Sequence, residues 1–146
     1  MEPRLDFYEA SPEALKALVA LEVATGKLGL DPLLVDLVRL RASQINGCAF
    51  CVDLHSGDAR RKGETERRLH ALPVWRETPF FTPRERAALA WTEAVTNVAA
   101  THIPDAEYDT LRSAFSEREM VDLTLTIGVI NTWNRLAIGF RKMPIA

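Results

Sequence analysis

The sequence predicts an all-α fold, on three observations. Helix-start devices recur along the 146 residues: Ser11-Pro12-Glu13, Asp31-Pro32, Thr82-Pro83-Arg84-Glu85 and Ser116-Glu117-Arg118-Glu119. Each sets a capping side chain just ahead of a proline or an acidic first turn. The stretches that follow carry apolar residues at helical spacing. No stretch alternates with period two long enough to argue for a strand. β-branched residues cluster only in Leu123 to Ile130, inside a helix-length segment with a capped start.

Taken in order, Phe7-Tyr8-Glu9-Ala10 is a short lead-in. Ser11-Pro12 opens a helix through Leu15, Leu18, Val19 and Val23, ended by Gly26 and Gly29. Asp31-Pro32 opens the next, carried by Leu33, Leu34, Leu37, Val38 and Leu40 to about Ser43. Asn46-Gly47 then breaks the chain. A helix from Cys48 runs to Arg61 or Lys62 and stops at Gly63, with Arg60, Arg61 and Lys62 suiting the negative end of its dipole. Glu64 to Leu72 reads as a short charged helix closed by Pro73, and Val74 to Phe81 as a loop pinned by its aromatics. The capping box at Thr82 opens a long helix with Ala87, Ala88, Trp91, Ala94 and Val95 on one side, ended by Thr101-His102-Ile103-Pro104. Asp105 caps a helix through Tyr108, Leu111 and Phe115. Ser116 opens the last, towards Phe140. The expected architecture is a helical bundle of about six or seven helices, in one domain over residues 1–146.

Composition narrows the function. A formal charge of −2 provides no basic field, so nucleic acid is not an expected partner. The apolar stretch Met120 to Phe140 is interrupted by Asp122, Asn131, Asn134 and Arg135, which reads as a buried helix and not a membrane span. The start, Met1-Glu2-Pro3-Arg4-Leu5-Asp6, lacks the basic head and apolar run of a signal peptide. A cytoplasmic location is expected. In that reducing compartment a close cysteine pair points to catalysis or metal binding.

Both cysteines fall in Ser43-Gln44-Ile45-Asn46-Gly47-Cys48-Ala49-Phe50-Cys51-Val52-Asp53-Leu54-His55. On a helix, Cys48, Cys51 and His55 share one face over two turns. Two thiols able to close a short disulfide beside an imidazole make a redox site. Thiolate is the reactive form, and two features favour it. Cys48 follows Asn-Gly at a helix start, where unpaired N–H groups favour an anion. Cys51 lies one turn before His55, which can take its proton. These favour different cysteines as the attacking one. The need for a base at the reacting sulfur inclines the reading to Cys51, with Cys48 resolving the sulfenic acid.

Blander readings use the same residues. The pair and the histidine could be two core thiols and a buried imidazole. Zinc could take Cys48, Cys51 and His55 with Asp36, Asp53 or His70 as a fourth ligand, although structural zinc usually recruits a second, distant ligand pair. Asp36, among Leu33, Leu34, Leu37 and Val38, is a carboxylate that could stand behind a histidine, or one exposed at a helix edge. His70 and His102 read as surface histidines. Asn131, Asn134 and Arg135, in an apolar helix, imply buried hydrogen-bonded partners with a structural role.

With Leu37 to His55 and Asn131-Thr132-Trp133-Asn134-Arg135 in view, the chain resembles the AhpD-like alkylhydroperoxidases of the carboxymuconolactone decarboxylase superfamily. The run Ser-Gln-Ile-Asn-Gly-Cys-x-x-Cys-x-x-x-His carries the likeness; a bare Cys-x-x-Cys would not. The resemblance implies an all-helical homo-oligomer, commonly a trimer or hexamer. It implies a peroxidase working through a Cys48–Cys51 disulfide, without metal or flavin cofactor. It assigns sulfenic acid formation to Cys51, resolution and proton donation to Cys48, and a proton relay to His55. The family's relay glutamate falls on Asp36. Asp shortens that reach by one methylene, leaving room for a bridging water, and Phe50 replaces a second histidine found in the best-known members.

The expected function is therefore a thiol-dependent peroxidase that reduces hydroperoxides in antioxidant defence and is restored by a thioredoxin- or lipoyl-type dithiol protein. The rivals are a disulfide carrier or redox sensor with little peroxidase turnover, a helical scaffold with an idle pair, a ring-lactone decarboxylase of the same superfamily, and a zinc-binding protein.

Overall fold

The computed structural model describes residues 1–145 and is all-helical over them. Its helices are α1 (Phe7–Ala10), α2 (Pro12–Thr25), α3 (Pro32–Asn46), α4 (Ala49–Arg61), α5 (Glu66–Ala71), α6 (Pro83–Thr96), α7 (Val98–Thr101), α8 (Asp105–Ala114) and α9 (Glu117–Phe140). Sequence signals set most of these boundaries. Asp31 Oδ1 accepts from the Leu33 and Leu34 amides at the start of α3, and Pro32 sits where no amide is needed. Thr82 with Glu85, and Ser116 with Glu119, close reciprocal capping boxes on α6 and α9.

α3 is the centre, packed between α4, α6 and α9. Between Leu33 and Leu40 all its residues but Asp36 and Arg39 are apolar, which lets neighbours cover it on several sides. Leu34, Val35 and Val38 join Ala88, Trp91, Leu123 and Ile127 in one core. Leu37 and Leu40 join Leu72, Trp75 and Leu89 in a second. Each fully buried leucine contributes about 2 kcal/mol by leaving water. A third, smaller cluster packs Cys48 and Cys51 against Ile130 and Ala137 of α9.

The structure departs from the expected boundaries in several places. α3 continues past Ser43 to Asn46, and the break falls at Gly47, whose φ of 72° is the left-handed conformation glycine adopts freely. There the Cys48 amide donates to Ser43 O at 3.0 Å, closing the helix end. Residues Leu72–Glu77 form a 3₁₀ segment instead of an open loop, anchored by Trp75 Nε1 donating to Glu93 at 2.8 Å. The lead-in and the end of α6 contain the one-turn helices α1 and α7, too short for periodicity to reveal. Pro104 takes the cap position expected of Asp105, which moves into the first turn of α8. No helix among the described residues is long and apolar enough to cross a membrane.

Candidate active site

Cys48 is the N-cap of α4, and Cys51 is bonded to it as a disulfide across a Cα–Cα distance of 5.3 Å. Cys48 Sγ also accepts from the Cys51 amide at 3.3 Å. A sulfur at a helix start meets amides without intrahelical partners, so negative charge developing there is stabilised. The disulfide spans a sequence separation of 3. In the chain-entropy picture so short a loop adds only about 2 kcal/mol of stability. Little of the fold depends on this bond, which suits one that is made and broken.

An asparagine network fixes the turn before Cys48. Asn46 Nδ2 donates to Asn131 Oδ1 at 3.0 Å and to Asn134 Oδ1 at 2.8 Å. Asn134, fully buried, donates to Ser43 Oγ at 3.0 Å, and Ser43 donates on to Arg39 O. Asn131 reaches Thr96 of α6. Asn131 and Asn134 thus have the hydrogen-bonded partners their sequence context implies. Arg135 differs: it lies on the exposed side of α9 and donates back to Asn131. Through Asn131 and Asn134, α9 thus holds Asn46, the last residue of α3, two positions ahead of Cys48, and Asn131 is itself tied to α6.

One turn beyond Cys51, His55 is 4% exposed. Its Nδ1 lies 3.4 Å from Asp58 Oδ2 but falls short of hydrogen-bond geometry, so the buried nitrogen has no partner among the described residues. Burial, reinforced by the Arg39 charge and opposed by Asp58, pushes the imidazole down to about 4. His55 is therefore neutral at physiological pH and can accept a proton.

Asp36 is completely buried, not at a helix edge. Its Oδ2 pairs with the Lys62 ammonium, while its Oδ1 has no hydrogen-bond partner. Burial raises the carboxyl above its ordinary range, and Lys62 works against that rise. The donor atoms of Asp36, His55 and Asp58 all lie within 4.8 Å of one another. The structure thus brings Asp36 to His55, with no direct hydrogen bond between them. These three could offer ligands to a cation, but Lys62 already neutralises Asp36. The zinc set weighed from sequence does not assemble in this state: both sulfurs are spent on each other, and Asp53 and His70 are exposed, outside the cluster. His102 is also exposed, as expected.

A cavity of about 120 Å³ opens beside the pair. Cys51 and His55 line it, with Phe7, Tyr8, Phe50 and Trp133 as aromatic walls; Cys48 does not line it. Sequence reading missed Asp58, Lys62 and most of this wall. Asp58 and Lys62 continue the spacing of Cys51 and His55 along one face of α4, so extending that count by two turns would have found them. Phe7 and Tyr8 carry no such signal, since they arrive from the far end of the chain. Arg4 ties that segment down, donating from its amide to Phe140 O at 3.1 Å and from its guanidinium to Gly139 O at 2.9 Å.

An all-α fold with a helix-capping Cys-x-x-Cys disulfide beside a neutral, buried histidine fits a redox role. The chain belongs to the Carboxymuconolactone decarboxylase family, whose model matches residues 12–94, and within it to the AhpD-like group. It is 41% identical to the uncharacterised protein YdfG of Bacillus subtilis (strain 168), over 95% of each chain. It is 34% identical to the uncharacterised protein YnjA of Escherichia coli (strain K12), over 70% of this chain and 56% of that one. Among solved structures, a protein of Agrobacterium tumefaciens described as a candidate antioxidant defence protein AhpD superposes with a TM-score of 0.97. It shares 48% identity over 99% of each chain. The debrominase Bmp8 shares the fold alone, at a TM-score of 0.86 and 21% identity, over 94% of this chain and 74% of its own.

Proposed function

We propose that this protein is a thiol-dependent peroxidase that reduces hydroperoxides through the Cys48–Cys51 disulfide, in antioxidant defence. One observation carries the reading: of the two sulfurs, Cys51 lines the cavity together with the neutral His55, while Cys48 lies behind it as the helix cap. The likeness to a candidate antioxidant defence protein at 48% identity supports the same conclusion.

In the proposed cycle His55 takes the Cys51 proton. The thiolate attacks the terminal oxygen of R–O–OH; the O–O bond breaks, leaving Cys51–SOH and RO⁻, which takes up a proton as ROH. Cys48 then attacks the sulfenic sulfur, forming the disulfide and releasing water. An external dithiol protein of thioredoxin or lipoyl type reduces the bond and is itself oxidised to a disulfide. Asp36 positions the histidine side of this relay; the two groups lie within 4.8 Å of each other without a direct hydrogen bond, a separation that one water can bridge. No metal or flavin enters the cycle.

The proposal includes a cytoplasmic homo-oligomer, trimer or hexamer. Val121 and Leu125 of α9, 59% and 45% exposed, border a groove of about 750 Å³ shared with Leu18 and Leu21 of α2, which supports an apolar contact between copies.

The decisive experiment is mass spectrometry of reduced protein after one equivalent of peroxide. The peptide holding Cys48 and Cys51 should lose the two thiol hydrogens, and Cys51→Ser should consume no peroxide. Unimpaired peroxide consumption by Cys51→Ser refutes the assignment. Slow consumption alongside fast exchange with a protein disulfide would favour the carrier or sensor reading.

A further inference from the structure

We infer that Lys142 makes the cavity selective for short hydroperoxides that carry an anionic group, which it holds at the mouth while the peroxide reaches Cys51. This rests on the peroxidase reading and specifies its substrate class.

The placement of Lys142 is unusual. Its ammonium lies over three aromatic rings of the cavity wall, 5.5 Å from the centroid of Phe7, 4.7 Å from Tyr8 and 5.0 Å from Phe50. Ring faces attract a cation but supply no counter-charge and no strong acceptor. Among the described residues no carboxylate stands within ion-pair distance of it, and no side-chain hydrogen bond uses its donors. The one acid on the cavity wall, Glu22, is directed to Arg39 at 4.0 Å. A cation on a cavity wall, with its donors uncommitted among the described residues, is a receptor for an anion.

The backbone holds it there by a strained turn. Arg141 ends α9 with φ of 57°, a left-handed conformation that costs a non-glycine residue energy. That turn carries Lys142 back, so that its amide donates to Ala137 O at 2.9 Å and its side chain folds over the rings. This closure of the helix end fixes the backbone from which the Lys142 side chain starts towards the rings.

Size sets the rest of the class. At about 120 Å³ the cavity is smaller than the roughly 150 Å³ that accommodates a benzene molecule. A body of about four carbons fills it. A long acyl chain would have to project past the half-exposed Tyr8 and Leu54 at the rim.

The test compares tert-butyl hydroperoxide with 3-hydroperoxy-3-methylbutanoate, the same body carrying a carboxylate, using dithiothreitol as reductant. In the wild type kcat/KM should favour the anion. Lys142→Gln should lower the anion-to-neutral ratio about tenfold, mainly through KM, as expected for one lost charged contact. Calorimetry provides a readout independent of turnover. The non-reactive 3-hydroxy-3-methylbutanoate should bind the oxidised wild-type protein about tenfold more tightly than it binds Lys142→Gln. If neither peroxide is consumed but that acid binds through Lys142, the peroxidase reading falls and the anion site stands. Cys51-dependent consumption with a ratio and an affinity unaffected by Lys142→Gln overturns the inference alone.

Discussion

Lys62 and Asp36 form an ion pair between an ammonium 43% exposed and a carboxylate 1% exposed. The pair is lopsided, and its two halves should respond differently to substitution. Removing Lys62 leaves a buried carboxylate without its ion-pair partner, with only the more distant Arg39 charge beside it, whereas removing Asp36 leaves an ammonium that water can reach. Lys62→Met should cost about 2 kcal/mol at pH 7, less than for a fully buried pair because Lys62 is solvated. Asp36→Asn should cost clearly less. Urea midpoints of the two variants check this, and equal losses would contradict the asymmetry.

His55 should make stability depend on pH. Its imidazole is held down to about 4, against 6.5 for the free side chain. Between those values the unfolded chain binds a proton that the folded chain does not, so stability is complete above 6.5 and falls as pH drops towards 4. The loss attributable to His55 approaches about 3 kcal/mol at pH 4. Asp36 works the other way: its raised carboxyl favours the folded state at low pH and loses that contribution as pH rises through the raised value. A His55→Gln variant should therefore gain on the wild type as pH falls from 7 to 4, read as converging or crossing urea midpoints. Parallel midpoints would mean that the imidazole titrates normally.

The turn ahead of the cysteines offers two substitutions with separable costs. Gly47 has φ of 72°, and a Cβ built there meets nothing within 4 Å. Gly47→Ala should cost only the left-handed strain, about 1 kcal/mol, and Gly47→Asn less. Asn134→Leu removes both an acceptor for Asn46 and a donor to Ser43 in a fully buried site. It should cost about 3 kcal/mol and slow formation of the Cys48–Cys51 bond, because the turn is no longer tied to α9. Melting curves measure the first effect and stopped-flow oxidation the second.

The contrast between α4 and the cavity wall shows what the chain reveals about itself. Capping boxes at Thr82 and Ser116 and the proline starts at Pro12 and Pro32 are local devices, so the helices they open are legible directly. Cys48, Cys51 and His55 are legible for the same reason: one helix sets their relation. The burial of Asp36 is half visible, since its apolar neighbours suggest it while only packing against α4 decides it. Phe7, Tyr8, Trp133 and Lys142 meet at Cys51 because α1 and the C-terminal part of α9 fold together over long sequence separations, and no periodicity encodes that meeting. Lys142 depends besides on the left-handed Arg141, a residue type that does not announce such a turn.

Cys48→Ser separates the roles of the two sulfurs. The remaining Cys51 still faces the cavity beside His55, so it should react with one equivalent of peroxide and stop, leaving a sulfenic acid with no thiol to resolve it. A diketone probe for sulfenic acids should then label Cys51. In the converse variant, Cys51→Ser, the thiol at position 48 sits behind the cavity as a helix cap, 1% exposed, and should be neither oxidised nor labelled at a comparable rate. Both single variants should lose no more than about 2 kcal/mol against the oxidised wild type, the contribution of a short closed loop, so loss of turnover will not reflect unfolding. Labelling of Cys48 in Cys51→Ser, with Cys51 inert in Cys48→Ser, would reverse the assignment and place the peroxide at the helix-cap sulfur instead of in the cavity.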